Sequence, residues 1–147
     1  MAPYCQKNNM KILSYGTLLG GFLSEKYLGR GEPARGDLYT LSLQKYKNMI
    51  DAWGGWGLFQ ELLGVLDAVA KRHGVLIANV ATRYILDRPA VAGVIIGTRL
   101  GISEHISDNL KTFGLRLDTK DLAEIRQVTS RSNDLYESIG DCGSEYR

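Results

Sequence analysis

The sequence predicts an α/β fold with parallel strands. Two short apolar runs read as strands, residues 10–15 (MKILSY) and 91–96 (VAGVII). Segments with apolar residues at helical spacing lie between and after them. The resulting order of strand, long loop, helices, strand, helix, helix is the alternation that packs helices against a parallel sheet.

In chain order, Lys7, Asn8 and Asn9 form a turn ahead of the first strand, which is apolar enough to be buried. Residues 16–37 then hold six glycines and a proline. Such a stretch does not sustain a helix and reads as a long loop with room for one short turn. Loops of this length in compact domains are usually functional. Ser42 is a candidate cap for a helix through LQKYKNMIDAW, which the GGWG segment at 54–57 breaks. Leu58, Phe59, Leu62, Leu63, Leu66, Val69 and Ala70 then recur at helical spacing, giving an amphipathic helix that stops at Gly74. A shorter helix from Ile77 to Leu86 ends before Arg88 and Pro89. The β-branched run at 91–96, bounded by Pro89 and Gly97, suits a buried parallel strand. Ser103 is a reasonable N-cap for a helix reaching about Phe113. Asp118 or Thr119 starts a last helix with Leu122, Ile125 and Val128 on one face. Residues 132–147 show no clear period and read as a loosely attached tail, leaving residues 1–131 as the folded unit.

At 147 residues the chain has the length of one domain. Its 44% hydrophobic and 23% charged residues are ordinary for a globular protein. The net charge of +2 comes from 18 basic and 16 acidic residues that are interspersed, which gives no argument for nucleic acid or a membrane surface. Cys5 and Cys142 have neither metal-ligand spacing nor a disulfide framework. No apolar run approaches the roughly 20 residues of a membrane span. The N-terminal MAPYCQKNN lacks the layout of a signal peptide, so a cytoplasmic location is the expectation. Two strands make a poor core for this many helices, and that imbalance itself warns of a fragment.

Two places carry candidate chemistry. Tyr15 falls at the C-terminal end of the first strand, followed by the glycine-rich run Gly16-Thr17-Leu18-Leu19-Gly20-Gly21. A tyrosine ring there can stack on a flat cofactor ring, and glycines beyond it let the backbone approach a pyrophosphate. It can equally pack in a core beside an ordinary turn. The second place runs from Gly97 through Thr98, Arg99 and Ser103 to His105, Asp108 and Asn109. A strand end here meets a glycine loop and then a helix N-terminus, whose free N–H groups favour anions. Arg99 adds a forked donor set suited to phosphate. The alternative is a plain connecting loop with a solvated arginine. The pattern is not GxGxxG, which disfavours a Rossmann site. His73 and His105 read as exposed residues at helix ends.

Two of these segments together resemble one family. LSYGTLLGGFLSEKYLG, residues 13–29, is similar to the seventh barrel strand of aldo-keto reductases, and GVIIGTRLGISEHISDNL, residues 93–110, to the eighth strand and the cofactor helix after it. The stretches at 43–63 and 71–93 resemble the connecting helices of a bacterial and fungal branch. The resemblance implies a partial (β/α)8 TIM barrel holding the last two strands and their helices, completed by oligomerisation or repacked. It implies that Tyr15 stacks on the nicotinamide and that Gly16, Thr17 and Leu18 pass along the pyrophosphate. It puts Gly97, Thr98 and Arg99 near the adenosine 2′-phosphate, which favours NADP(H). His105, Asp108 and Asn109 then contact the adenine; His105 and Asp108 depart from the commonest family residues at their positions.

The family's catalytic aspartate, tyrosine, lysine and histidine lie in the first half of the barrel, and none has a counterpart here by this resemblance. Three functions follow as expectations. One is NADP(H)-dependent reduction of a small carbonyl substrate, by a truncated copy or one piece of an enzyme. Another is a repurposed half-barrel enzyme, a cofactor-independent isomerase, cyclase or dehydratase with an apolar interface pocket lined by Trp53, Trp56 and Tyr27. The last is a non-catalytic module that binds a nucleotide or a protein partner. In each, exposed strand edges and one bare core face call for a homo-oligomer or another chain.

Overall fold

The computed structural model describes residues 1–98, 101–102 and 104–140. The chain opens with α1 (Ala2–Lys7), followed by β1 (Ile12–Tyr15) and single turns of 3₁₀ helix at Leu19–Gly21, Glu25–Tyr27 and Arg35–Asp37. Then come α2 (Leu41–Trp53), α3 (Gly55–His73), α4 (Ile77–Leu86), β2 (Val91–Ile95), α5 (Ile106–Gly114), α6 (Thr119–Thr129) and α7 (Leu135–Ile139). The strands pair in parallel, with Ser14 beside Val94 and Tyr15 beside Ile95. The α/β class and the parallel pairing are therefore as the sequence predicts, in a mostly helical molecule.

Local chemistry explains most of the boundaries. Thr40, not Ser42, caps α2: its backbone is extended and its hydroxyl accepts from the Leu43 amide at 3.1 Å. The break after α2 is confined to Gly54, because α3 takes up Gly55, Trp56 and Gly57 to bury the Trp56 indole against Phe22 and Phe59. α3 ends in a left-handed residue, Gly74 (φ 65°), and the Val75 amide reaches back to the Ala70 carbonyl at 3.0 Å. α4 has the predicted bounds. α1 was not predicted; its sequence signal is Pro3 in the first turn, where the missing N–H costs nothing. After α6, Asn133 ties the chain to the end of α2 through the Trp53 and Ala52 carbonyls at 2.8 and 2.9 Å.

The core lies among the helices and the long loop. Phe22, Ile50, Phe59, Leu63, Val69, Ile77, Val80 and Ile125 are its most buried members, and neither strand contributes a buried residue. This corrects the expectation of two buried strands. One face of the sheet packs towards α4. The other presents Leu13, Tyr15 and Ile95 to solvent, at 63, 62 and 57% exposure. A strand is covered on both faces only where helices or further strands flank it, and here one flank is bare. No helix among the described residues is long and apolar enough to cross a membrane.

Candidate functional site

The register that sets Tyr15 beside Ile95 brings the two strand ends together, so the loops beginning at Gly16 and near Gly97 leave the same edge of the sheet. Both sequence-predicted segments thus start from one end of the sheet. Tyr15 is largely exposed there, with its ring free to take a flat partner. Gly16 has a positive φ of 71°, and a Cβ on it would collide with the hydroxyl oxygen of Tyr46, reaching across from α2. On that face a side chain would have to displace the Tyr46 hydroxyl. Thr17 Oγ1 is buried and has no hydrogen-bond partner among the described residues. A buried hydroxyl without a partner forfeits hydrogen-bond energy that a ligand or a small movement would return.

On the second loop, Gly97 and Thr98 are exposed. Arg99 and Ser103 lie outside the described residues. α5 begins at Ile106 with His105 as its N-cap, later than Ser103 would start it, and His105 makes no side-chain cap bond. The Asp108 carboxylate accepts from Lys111 Nζ at 2.9 Å, and that ammonium holds its carboxyl below the ordinary range. The Asp108 carbonyl accepts from Asn79 Nδ2 at 2.6 Å, and Asn79 also donates to Thr112 Oγ1 at 3.1 Å. Asn109 is half-buried, its amide bonded to the His105 carbonyl at 2.8 Å.

Sequence reasoning missed three side chains. Tyr46 reaches the strand-end turn, Asn79 pins α4 to α5, and Asp121 gathers a charged cluster. Asp121 has no exposed surface. Its carboxylate accepts from Arg72 at 2.6 Å and from the Asp118 amide at 3.0 Å, and lies 2.7 Å from His73 Nε2. Glu124 shares Arg72 at 2.7 Å. His73 is exposed at the end of α3, as the sequence suggests, and its ring pairs there with Asp121. Only periodicity could have hinted at these contacts, by facing Tyr46 and Asn79 inward. Trp56 and Tyr27 pack with Phe22 and Phe59 in the core, and the Trp56 indole donates to the Arg30 carbonyl at 3.0 Å. A wide-open cleft of about 450 Å³ lies between Trp53 and residues 132–136, sharing no residue with the strand-end site.

Comparison with known proteins gives a consistent picture. The sequence pattern of the Aldo/keto reductase family matches residues 1–130. The chain is 30% identical over 125 residues to an aryl-alcohol dehydrogenase of Pestalotiopsis microspora, a match covering 85% of this chain and 28% of that one. It is 26% identical over 144 residues to the aldo-keto reductase YhdN of Bacillus subtilis, covering 94% of this chain and 39% of the relative. A shorter match, 39% identical over 85 residues, is to flagellar radial spoke protein 5 of Chlamydomonas reinhardtii, covering 56% of this chain and 16% of that protein. Among solved structures, a glycerol dehydrogenase of Gluconobacter oxydans superposes with a TM-score of 0.65 at 18% identity, over 96% of this chain and 38% of that chain. The chain thus spans well under half the length of these relatives. A family match that runs through both strands, the loops at their ends and every helix to the end of α6 leaves one assignment: this chain belongs to the aldo/keto reductase family.

Proposed function

We propose that the chain forms the cofactor-holding end of an NADP(H)-dependent carbonyl reductase, within a partial (β/α)8 barrel. The parallel register of β1 and β2 supports this reading, because it starts two glycine-bearing loops from a single end of the sheet. Ligands of parallel α/β folds bind at the C-terminal ends of their strands. The donor set suits a dinucleotide. Tyr15 offers an exposed ring, and α5 a first turn with no side-chain cap. In this arrangement Tyr15 stacks on the nicotinamide, and Gly16, Thr17 and Leu18 run beside the pyrophosphate. Gly97, Thr98 and Arg99 serve the 2′-phosphate, and His105, Asp108 and Asn109 face the adenine. When bound, the cofactor supplies the hydride. The residues of this chain bind it, orient it and restrict water around it. The general acid for the carbonyl oxygen belongs, in this reading, to barrel segments outside these 147 residues. The cofactor-independent reading loses its support with Trp56 and Tyr27 packed into the core.

Calorimetric titration of NADPH and NADH into the purified chain tests the proposal. The expected result is measurable NADPH binding, weaker NADH binding, and no family-typical NADPH oxidation with activated aldehydes. The absence of heat with either cofactor would remove the nucleotide site and leave a partner-binding module.

A further inference from the structure

Tyr46 belongs to α2, yet its ring lies across the turn that follows β1. A Cβ on Gly16 would strike the Tyr46 hydroxyl oxygen and lie 3.3 Å from Cζ. A Cβ on Gly20 would lie 3.0 Å from Tyr46 Cδ2 and 3.0 Å from Ser42 Oγ. Both glycines have positive φ, 71° and 64°, which disfavours a side chain, and at each an added Cβ would also require Tyr46 to shift. The turn between them is folded by bonds from the Leu19 amide to the Gly16 carbonyl and from the Gly21 amide to the Leu18 carbonyl, both 2.9 Å. Tyr46 also packs against the core, which anchors the ring that clamps this turn. Thr17, with its unpartnered hydroxyl, sits between the two clamped glycines.

We propose that Tyr46 is a positioning residue for the pyrophosphate of a bound dinucleotide. It holds the turn at residues 16–20 in one conformation, so that the backbone of the turn meets the phosphates already ordered. A glycine-rich turn is otherwise mobile, and a ligand that must order it binds less tightly. The inference rests on the nucleotide reading above and adds a residue from a different helix to it.

The test uses NADPH titration, thermal melting and hydrogen exchange at the Leu19 and Gly21 amides. Tyr46→Ala is expected to speed exchange at both amides and to weaken NADPH roughly three- to tenfold, the cost of ordering a short loop on binding. Tyr46→Phe keeps the ring and should retain both properties. Gly16→Ala should weaken binding in the native background and recover part of it beside Tyr46→Phe, where the oxygen it strikes is gone. Ile50→Val, elsewhere on α2, should lower the melting temperature and leave NADPH affinity unchanged. Unchanged affinity in Tyr46→Ala overturns the inference, as does an equal loss in Ile50→Val. If wild type binds no NADPH, the nucleotide reading falls and takes this inference with it; wild-type binding with an unaffected Tyr46→Ala removes this inference alone.

Discussion

Asp121 is an acid with no exposed surface that keeps its charge because its partners converge on it. Burial alone would raise its carboxyl, but the hydrogen bonds from Arg72 and His73, with the Asp118 amide, outweigh burial and hold it below the ordinary carboxylate range. Asp121→Asn should therefore cost about 1.5–3 kcal/mol of stability at neutral pH, the range for hydrogen bonds to a charged group. The folded-state carboxyl lies below its unfolded value, so this contribution is complete above about pH 4 and fades as pH falls through the folded value. Urea unfolding of both proteins at neutral and strongly acid pH checks the sign: the gap between them should narrow in acid. In the proposed cofactor site, Arg99→Ala should weaken NADPH roughly ten- to a hundredfold, as loss of one charge-assisted contact of about 1.5–3 kcal/mol implies. NADH has no 2′-phosphate to lose, so its affinity should barely change. Parallel titrations decide this, and an equal loss for both cofactors would move Arg99 away from that phosphate.

Among the elements, α4 and α5 show how much of the site depends on packing between helices. Asn79 is buried on α4, accepts from the Leu76 amide at 3.0 Å and donates to α5 at two points. It fixes where Asp108 and Asn109 stand relative to the strand ends. Asn79→Ala leaves the Thr112 hydroxyl and the Asp108 carbonyl without their donor, at a cost of about 1–3 kcal/mol. A lowered melting temperature with faster amide exchange concentrated in α5 is the expected result; uniform destabilisation would show that Asn79 does not pin α5 in particular. The bounds of α4 were legible because its periodicity and its flanking Pro89 are local signals. The cap of α2 was not, because Thr40 and Ser42 are both capping residues and only the extended backbone at Thr40 separates them.

At the scale of the whole molecule, the bare sheet face dominates. Leu13, Tyr15 and Ile95 are joined in exposure by Ile106, Leu110 and Phe113, which share one stripe of α5 away from Thr112. Contiguous apolar surface of this kind is what a partner chain covers. The isolated chain is therefore predicted to self-associate. Sedimentation at micromolar concentration should give at least a dimer, and a compact monomer with a cooperative melt would refute this.

By itself the sequence determined the helical periods, the stop at Gly74, the α4 boundaries and two strands whose ends carry glycine loops. These are short-range properties, set by residues within a few positions of one another. The tertiary structure decided which side chains meet across long separations. His73 finds Asp121 48 residues on, and Asn79 reaches Thr112 across 33. Tyr46 comes to rest on Gly16 in the same way, so that a side chain on that face would have to displace its hydroxyl. Strand burial was also a tertiary outcome, because an apolar run encodes a preference for cover and only the surrounding elements supply it.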